Sequence, residues 1–148
     1  MFLRRLVLIS WVLIFPQVAQ AELQNVNNLI CTITKVEANQ GDVYRVGERV
    51  IFKVSKSDES TVIDALTSRS ANGSWSASIP VLKISQKRNA NWEYSGSKGA
   101  WPLNRDKGKL VISADFKNGV FSSYNSYWIP GLGSDVYKLK LSFSSCFY

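Results

Sequence analysis

Histidine is absent from this sequence of 148 residues, and cysteine occurs only twice. The first absence excludes a Ser-His-Asp triad, a Cys-His pair and any His-ligated metal. The second excludes a four-Cys zinc site. Long apolar runs are scarce as well. Beyond residue 21 no stretch reaches the roughly 18 apolar residues of a membrane-crossing helix. The rest of the chain therefore reads as not membrane-spanning. There is no internal repeat, low-complexity tract or linker, and the length allows one ordinary domain.

The first 21 residues have the pattern of a secretory signal peptide. Arg4 and Arg5 form a positive start, Leu6 to Phe15 is apolar except for Ser10, and Pro16 reads as a helix breaker. Ala19-Gln20-Ala21 has the small-x-small cleavage pattern. The organisation expected is residues 1–21 as signal peptide and 22–148 as a single β domain, periplasmic or secreted. Cys31 does not follow the cleavage site directly, so a lipid anchor is not expected.

Cys31 stands near the start of the expected mature chain and Cys146 near its end. In an exported protein such a pair is expected to form a disulfide. The first and last strands would then lie within about 7 Å of each other at their Cα atoms.

Period-two alternation runs through most of the chain. Val50, Phe52 and Val54 alternate with Ile51, Lys53 and Ser55. Leu110 to Phe116 and Tyr137 to Phe143 behave the same way, each predicting a strand with one buried face. Leu29–Val36, Val81–Ser85, Trp92–Ser95 and Val120–Ile129 are further strands. Residues 58–69 suit a strand through Thr61-Val62-Ile63 or a short helix, with the strand favoured. Asn118-Gly119 predicts a two-residue type I′ hairpin with Gly119 at positive φ. Asn72-Gly73-Ser74 and Pro130-Gly131 mark other reversals. The fold class expected is all-β: a small antiparallel barrel or sandwich of seven or eight strands. In the last strand, Cys146 has the parity of Lys138 and Lys140, not of Leu139 and Leu141. Either a bulge falls near Ser144-Ser145 or the disulfide lies on the outer face.

The charge map points to one region. Between Lys83 and Lys109 stand seven cations (Lys83, Lys87, Arg88, Lys98, Arg105, Lys107, Lys109) against Glu93 and Asp106. The remainder of the expected mature chain is balanced. The segment also holds Trp92, Tyr94 and Trp101 among glycines, and reads as a basic, aromatic loop. Aromatic faces suit sugar rings, and cations suit phosphate or carboxylate. Lys98, Trp101, Arg105, Lys107 and Lys109 are the candidate ligand-binding residues. The bland alternative is a solvated loop whose tryptophans cap the core. Ser95-Gly96-Ser97-Lys98 has the Ser-x-x-Lys spacing of penicillin-binding enzymes, but 20 Ser and 11 Lys produce that spacing by chance. No carboxylate pair is singled out for glycoside hydrolysis.

The function expected is that of a noncatalytic exported binding protein with no cofactor. Its partner would be an anionic polymer, a glycan or an envelope protein; export argues against nucleic acid. The alternatives are an inhibitor of a cell-wall hydrolase and a carrier of a small hydrophobic ligand.

Overall fold

The computed structural model describes residues 16–39, 43–70, 76–88, 90–100 and 103–148, with side chains from residue 22 onward. The expected signal sequence up to residue 15, the Asn72-Gly73-Ser74 turn and Trp101 lie outside the described residues.

Among the described residues one helix, α1 (Pro16–Asn27), precedes nine strands. Pro16, read from sequence as a breaker, belongs to α1. The helix runs across the expected cleavage point. Leu23 and Val26, three residues apart on one face, are buried in the core, and the Asn27 side chain accepts a bond from the Val54 N–H at 2.9 Å. This helix was not legible as a packed element.

The strands are β1 (Leu29–Ala38), β2 (Arg49–Lys56), β3 (Thr61–Leu66), β4 (Ala77–Pro80), β5 (Lys83–Gln86), β6 (Trp92–Gly99), β7 (Arg105–Ile112), β8 (Gly119–Ile129) and β9 (Gly133–Phe147). They form one antiparallel sheet in the order β4-β3-β2-β1-β9-β8-β7-β6-β5. Two corrections follow, and one expectation is met. Among the described residues the strands number nine rather than seven or eight. They belong to one sheet, and its two edges, β4 and β5, share no ladder, so the sheet is not closed. The segment 58–69 contains a strand, as favoured, because Val62 to Leu66 pair with β2 from Ser55 to Ile51.

The two edges are nonetheless adjacent in the chain. The Val81 N–H donates to the Thr61 carbonyl at 2.8 Å, and the next N–H, of Leu82, donates to the Ser95 carbonyl at 3.0 Å. The backbone thus leaves β3 and joins β6 within two residues. β4 lies against the inner side of β6 and β7, where Gly96 and Gly108 pair directly. An ideal Cβ on Gly96 would stand 2.5 Å from the Pro80 carbonyl oxygen, and one on Gly108 would overlap Ile79. The glycine pair is what lets the edge strand approach so closely. Tyr44 secures the same strand: its hydroxyl donates to the Ala65 carbonyl at 2.6 Å and accepts from the Ala77 N–H at 2.7 Å. Burial pushes this phenol's pKa up.

Inside the curl, Phe52 packs against Phe143 and Phe121 with ring centroids 4.8 and 5.7 Å apart, and Tyr94, Ile79 and Leu110 are fully buried. The disulfide Cys31–Cys146 joins β1 to β9 on this inner side, both residues being buried. The parity conflict is resolved by a bulge. Ile30 pairs with Phe147 and Thr32 with Ser144, so β9 carries one extra residue there, and Ser145 has φ 53°. The extra residue turns Cys146 inward. A second irregularity between Ile33 and Lys35 brings Val36 back against the core.

The Asn118-Gly119 reading needs correction. β7 and β8 are joined by the six residues 113–118, and Phe116, not Gly119, takes a positive φ of 56°. Phe116 is buried, so its ring anchors the loop. The Ser113 hydroxyl accepts from the N–H groups of Lys117 and Asn118, at 3.0 and 3.1 Å, and donates to Asp115 at 2.6 Å. These bonds replace a tight two-residue turn. Gly119 is already in strand, paired with Ile112, and a side chain there would run into the Val111 carbonyl.

Candidate functional site: a lysine-rich outer face

The segment from Lys83 to Lys109 is not a loop. It is β5, β6 and β7 with their connections, and strand alternation divides its residues between two faces. Trp92 and Tyr94 turn toward the core, Tyr94 completely buried, with ring centroids 6.5 Å apart. Tyr94 thus offers no surface for a sugar, and Trp92 is partly buried against the core. Lys98 pairs across from Asp106 and so has the parity of the inner face, though it is exposed at the strand end. Arg105, Lys107 and Lys109 share the outer face of β7 by the same alternation.

Register then brings in residues from strands more distant in sequence. Along one cross-strand row stand Ser97, Lys107, Tyr124 and Lys138; along the next stand Ser95, Lys109, Ser122, Lys140 and Glu37. β7 and β9 flank β8, so four lysines frame it. From strand geometry their Cα atoms span about 7 Å along the strands and about 10 Å across them. Ser95, Ser97, Lys107, Lys109, Ser122 and Tyr124 line an open trough of about 570 Å³ between them.

Tyr124 is the centre of this face. Its ring has Lys107 Nζ 4.6 Å from the centroid and Lys138 Nζ at 5.9 Å. The outer lysines are differently held: Lys109 meets Glu93 at 3.8 Å and Lys140 meets Glu37 at 3.9 Å. Glu37 also pairs with Lys35, and the hydrogen bond and charge of Lys35, aided by Lys140, hold its carboxyl below the usual range. These pairs are exposed and weak, so a ligand's anions can displace them. Among the described residues neither Lys107 nor Lys138 is paired with a carboxylate.

Sequence reasoning missed Tyr124, Lys138 and Lys140. The alternation in Tyr137–Phe143 already put both lysines on the solvent face, but nothing local says that β9 lies two strands from β7. Among the described residues no group of three or more Asp, Glu or Cys is placed to hold a metal ion. No family model, curated protein or solved structure matches this chain.

Proposed function

We propose that this chain is a noncatalytic exported binding protein that holds an anionic polymer or acidic glycan on the outer face of β6 to β9. The observation carrying the reading is Tyr124, which has Lys107 and Lys138 over its ring and lines an open trough formed by β6, β7 and β8. Both ammonium groups lie over the ring, and when they swing outward to the acidic substituents of a glycan they free the aromatic face for its sugar ring. The serines of the two rows add hydroxyl donors at the same level. Arg105, Lys107 and Lys109 keep the role the charge map gave them, now joined by Lys138 and Lys140. Export is supported by the pattern of residues 1–21 and agrees with the disulfide. The interior, where a carrier would keep a hydrophobic ligand, is filled by Phe52, Phe121 and Phe143, which lends that alternative no support.

The test is affinity for a soluble acidic polysaccharide at low and high salt. Lys107→Gln with Lys138→Gln should weaken binding and flatten its salt dependence, because fewer ion contacts remain to be screened. Tyr124→Ala should weaken binding at every salt concentration. Unchanged affinity in both variants rejects the face as the site.

A further inference from the structure

Two hairpin ends meet at the end of β9 remote from the disulfide. β8 and β9 are joined through Ile129-Pro130-Gly131-Leu132, where the Leu132 N–H donates to the Ile129 carbonyl at 3.0 Å and Gly131 has φ 81°. Proline followed by a positive-φ glycine makes this a type II turn, held stiffly at its tip. The described end of the β6–β7 connection, Leu103-Asn104, lies alongside, since the Asn104 side chain accepts from the Trp128 N–H at 3.3 Å. Turns are ordinarily polar. This pair of tips instead exposes Leu103 (64%), Trp128 (47%), Ile129 (41%) and Leu132 (84%). Folding leaves these four large apolar side chains substantially in water at one end of the molecule.

Behind the tip stand two cations and two carboxylates, Arg105 and Lys98 with Asp106 and Asp135. Arg105 is opposite Ser126, three residues back from Ile129, and Lys98 is opposite Asp106, one step further. At strand spacing these cations stand about 10 and 14 Å behind the tip. Of the nearby carboxylates, Asp106 accepts a bond from Asn125 at 2.8 Å, and Asp135 pairs across from Tyr127, on the face away from Arg105.

We propose that this end is a membrane-docking tip for an anionic lipid bilayer. Leu103, Trp128, Ile129 and Leu132 enter the interfacial layer, and Arg105 and Lys98 reach the headgroup phosphates. The dimensions agree: peripheral elements bury about 5–10 Å of apolar structure, which leaves long cationic side chains at headgroup level. Tryptophan beside aliphatic residues is the composition that settles at a membrane–water boundary. A rigid turn loses little conformational entropy on entering the layer. The apolar residues of the tip are separate from the lysine face, which shares only Arg105 with it, and the proposal does not rest on the polymer reading.

The experiment is co-sedimentation of the oxidised chain with vesicles of phosphatidylglycerol and phosphatidylcholine, and with phosphatidylcholine alone. The same samples are assayed for soluble-polysaccharide binding. Binding should require the anionic lipid. Leu103→Ser with Leu132→Ser should lower the vesicle partition coefficient at least ~tenfold while leaving the melting temperature and polymer affinity unchanged, because both side chains face solvent. Arg105→Gln should reduce the preference for phosphatidylglycerol. Absence of sedimentation with anionic vesicles overturns the docking tip, whatever the polymer assay shows. So does equal partition of the double variant and the parent. A concentration-dependent dimer that Leu132→Ser abolishes would assign the tip to a second copy of the chain and likewise overturn it. Loss of polymer binding alone would count only against the lysine face.

Discussion

Gly108→Ala tests how an open sheet covers its own core. A Cβ at this position would overlap both the Ser122 carbonyl oxygen and Ile79 Cγ2. The first neighbour is backbone in a paired strand and cannot retreat without breaking the β7–β8 ladder; the second is a fully buried side chain on β4. Overpacking of this kind costs about 2–3 kcal/mol. Removing the Ile79 side chain beyond Cβ, by Ile79→Ala, costs about 2–5 kcal/mol in lost burial and cavity. In the double variant the new methyl occupies part of that cavity, and one of its two overlaps is gone. The pair should therefore be less destabilising than the sum by about 1–2 kcal/mol; the Ser122 oxygen prevents complete rescue. Urea unfolding of the four proteins, with the disulfide intact, measures the cycle. Gly131→Ala is the control. It has φ 81° and nothing within 4 Å of its ideal Cβ, so it should cost about 1–2 kcal/mol from backbone strain alone and show no coupling to Ile79. Additivity of Gly108→Ala and Ile79→Ala within about 0.5 kcal/mol would refute the packing of β4 on the Gly96–Gly108 pair.

Cys31→Ala with Cys146→Ala should leave a folded chain, since β1 and β9 remain paired, less stable by about 2–4 kcal/mol; this lies below the ~4.8 kcal/mol that loop entropy gives for a separation of 115 because residual structure in the unfolded chain reduces the entropy regained. Titration of the denatured, non-reduced parent should find no thiol, and two thiols per chain would refute the bond. Asp115 is held below the usual carboxylate range by the Ser113 hydroxyl and the Lys117 N–H, so its contribution is present above its unfolded pKa and is lost as pH falls through the folded one. The melting-temperature difference between parent and Asp115→Asn should accordingly shrink between neutral pH and pH values below the ordinary carboxylate range; a difference that does not change with pH would refute the assignment. Glu37→Gln should tighten binding of a sulfated polysaccharide at neutral pH by freeing Lys35 and Lys140, as measured by titration calorimetry, and no change would remove Lys140 from the binding face.

Much of the sheet was legible because alternation is a local property. Val50-Phe52-Val54 and Leu139-Leu141-Phe143 announce both the strand and its buried side, and burial follows that pattern. Cys146 shows how far parity reaches. The conflict with Leu139 and Leu141 required either a bulge or an outward disulfide, and the bulge at Ser145 is what the chain uses. Burying the bridge removes two sulfurs from water, which an outward bridge would not do. The failures have an equally physical origin. β4 holds only four residues, too few to show a period, and its place depends on glycines 16 and 28 residues further along the chain. Asn118-Gly119 has the composition of a tight turn, but burying the Phe116 ring at the cost of a strained φ sets the loop length instead.

The candidate site was half legible for a related reason. A run of charge along a chain becomes a patch only if its residues share a face, and in a strand they do so every second position. Lys107 and Lys109 satisfy that rule; Lys98 does not, and Trp92 and Tyr94 are spent on the core. The remaining half of the face comes from β9, where Lys138 and Lys140 sit in a segment whose charge looks unremarkable by itself. It is the β7–β8–β9 register, with Tyr124 opposite both Lys107 and Lys138, that turns two separate lysine pairs into one surface. In a protein built from one antiparallel sheet, a binding surface is therefore sought across the strands, in rows of directly opposed residues, rather than along any single stretch of sequence.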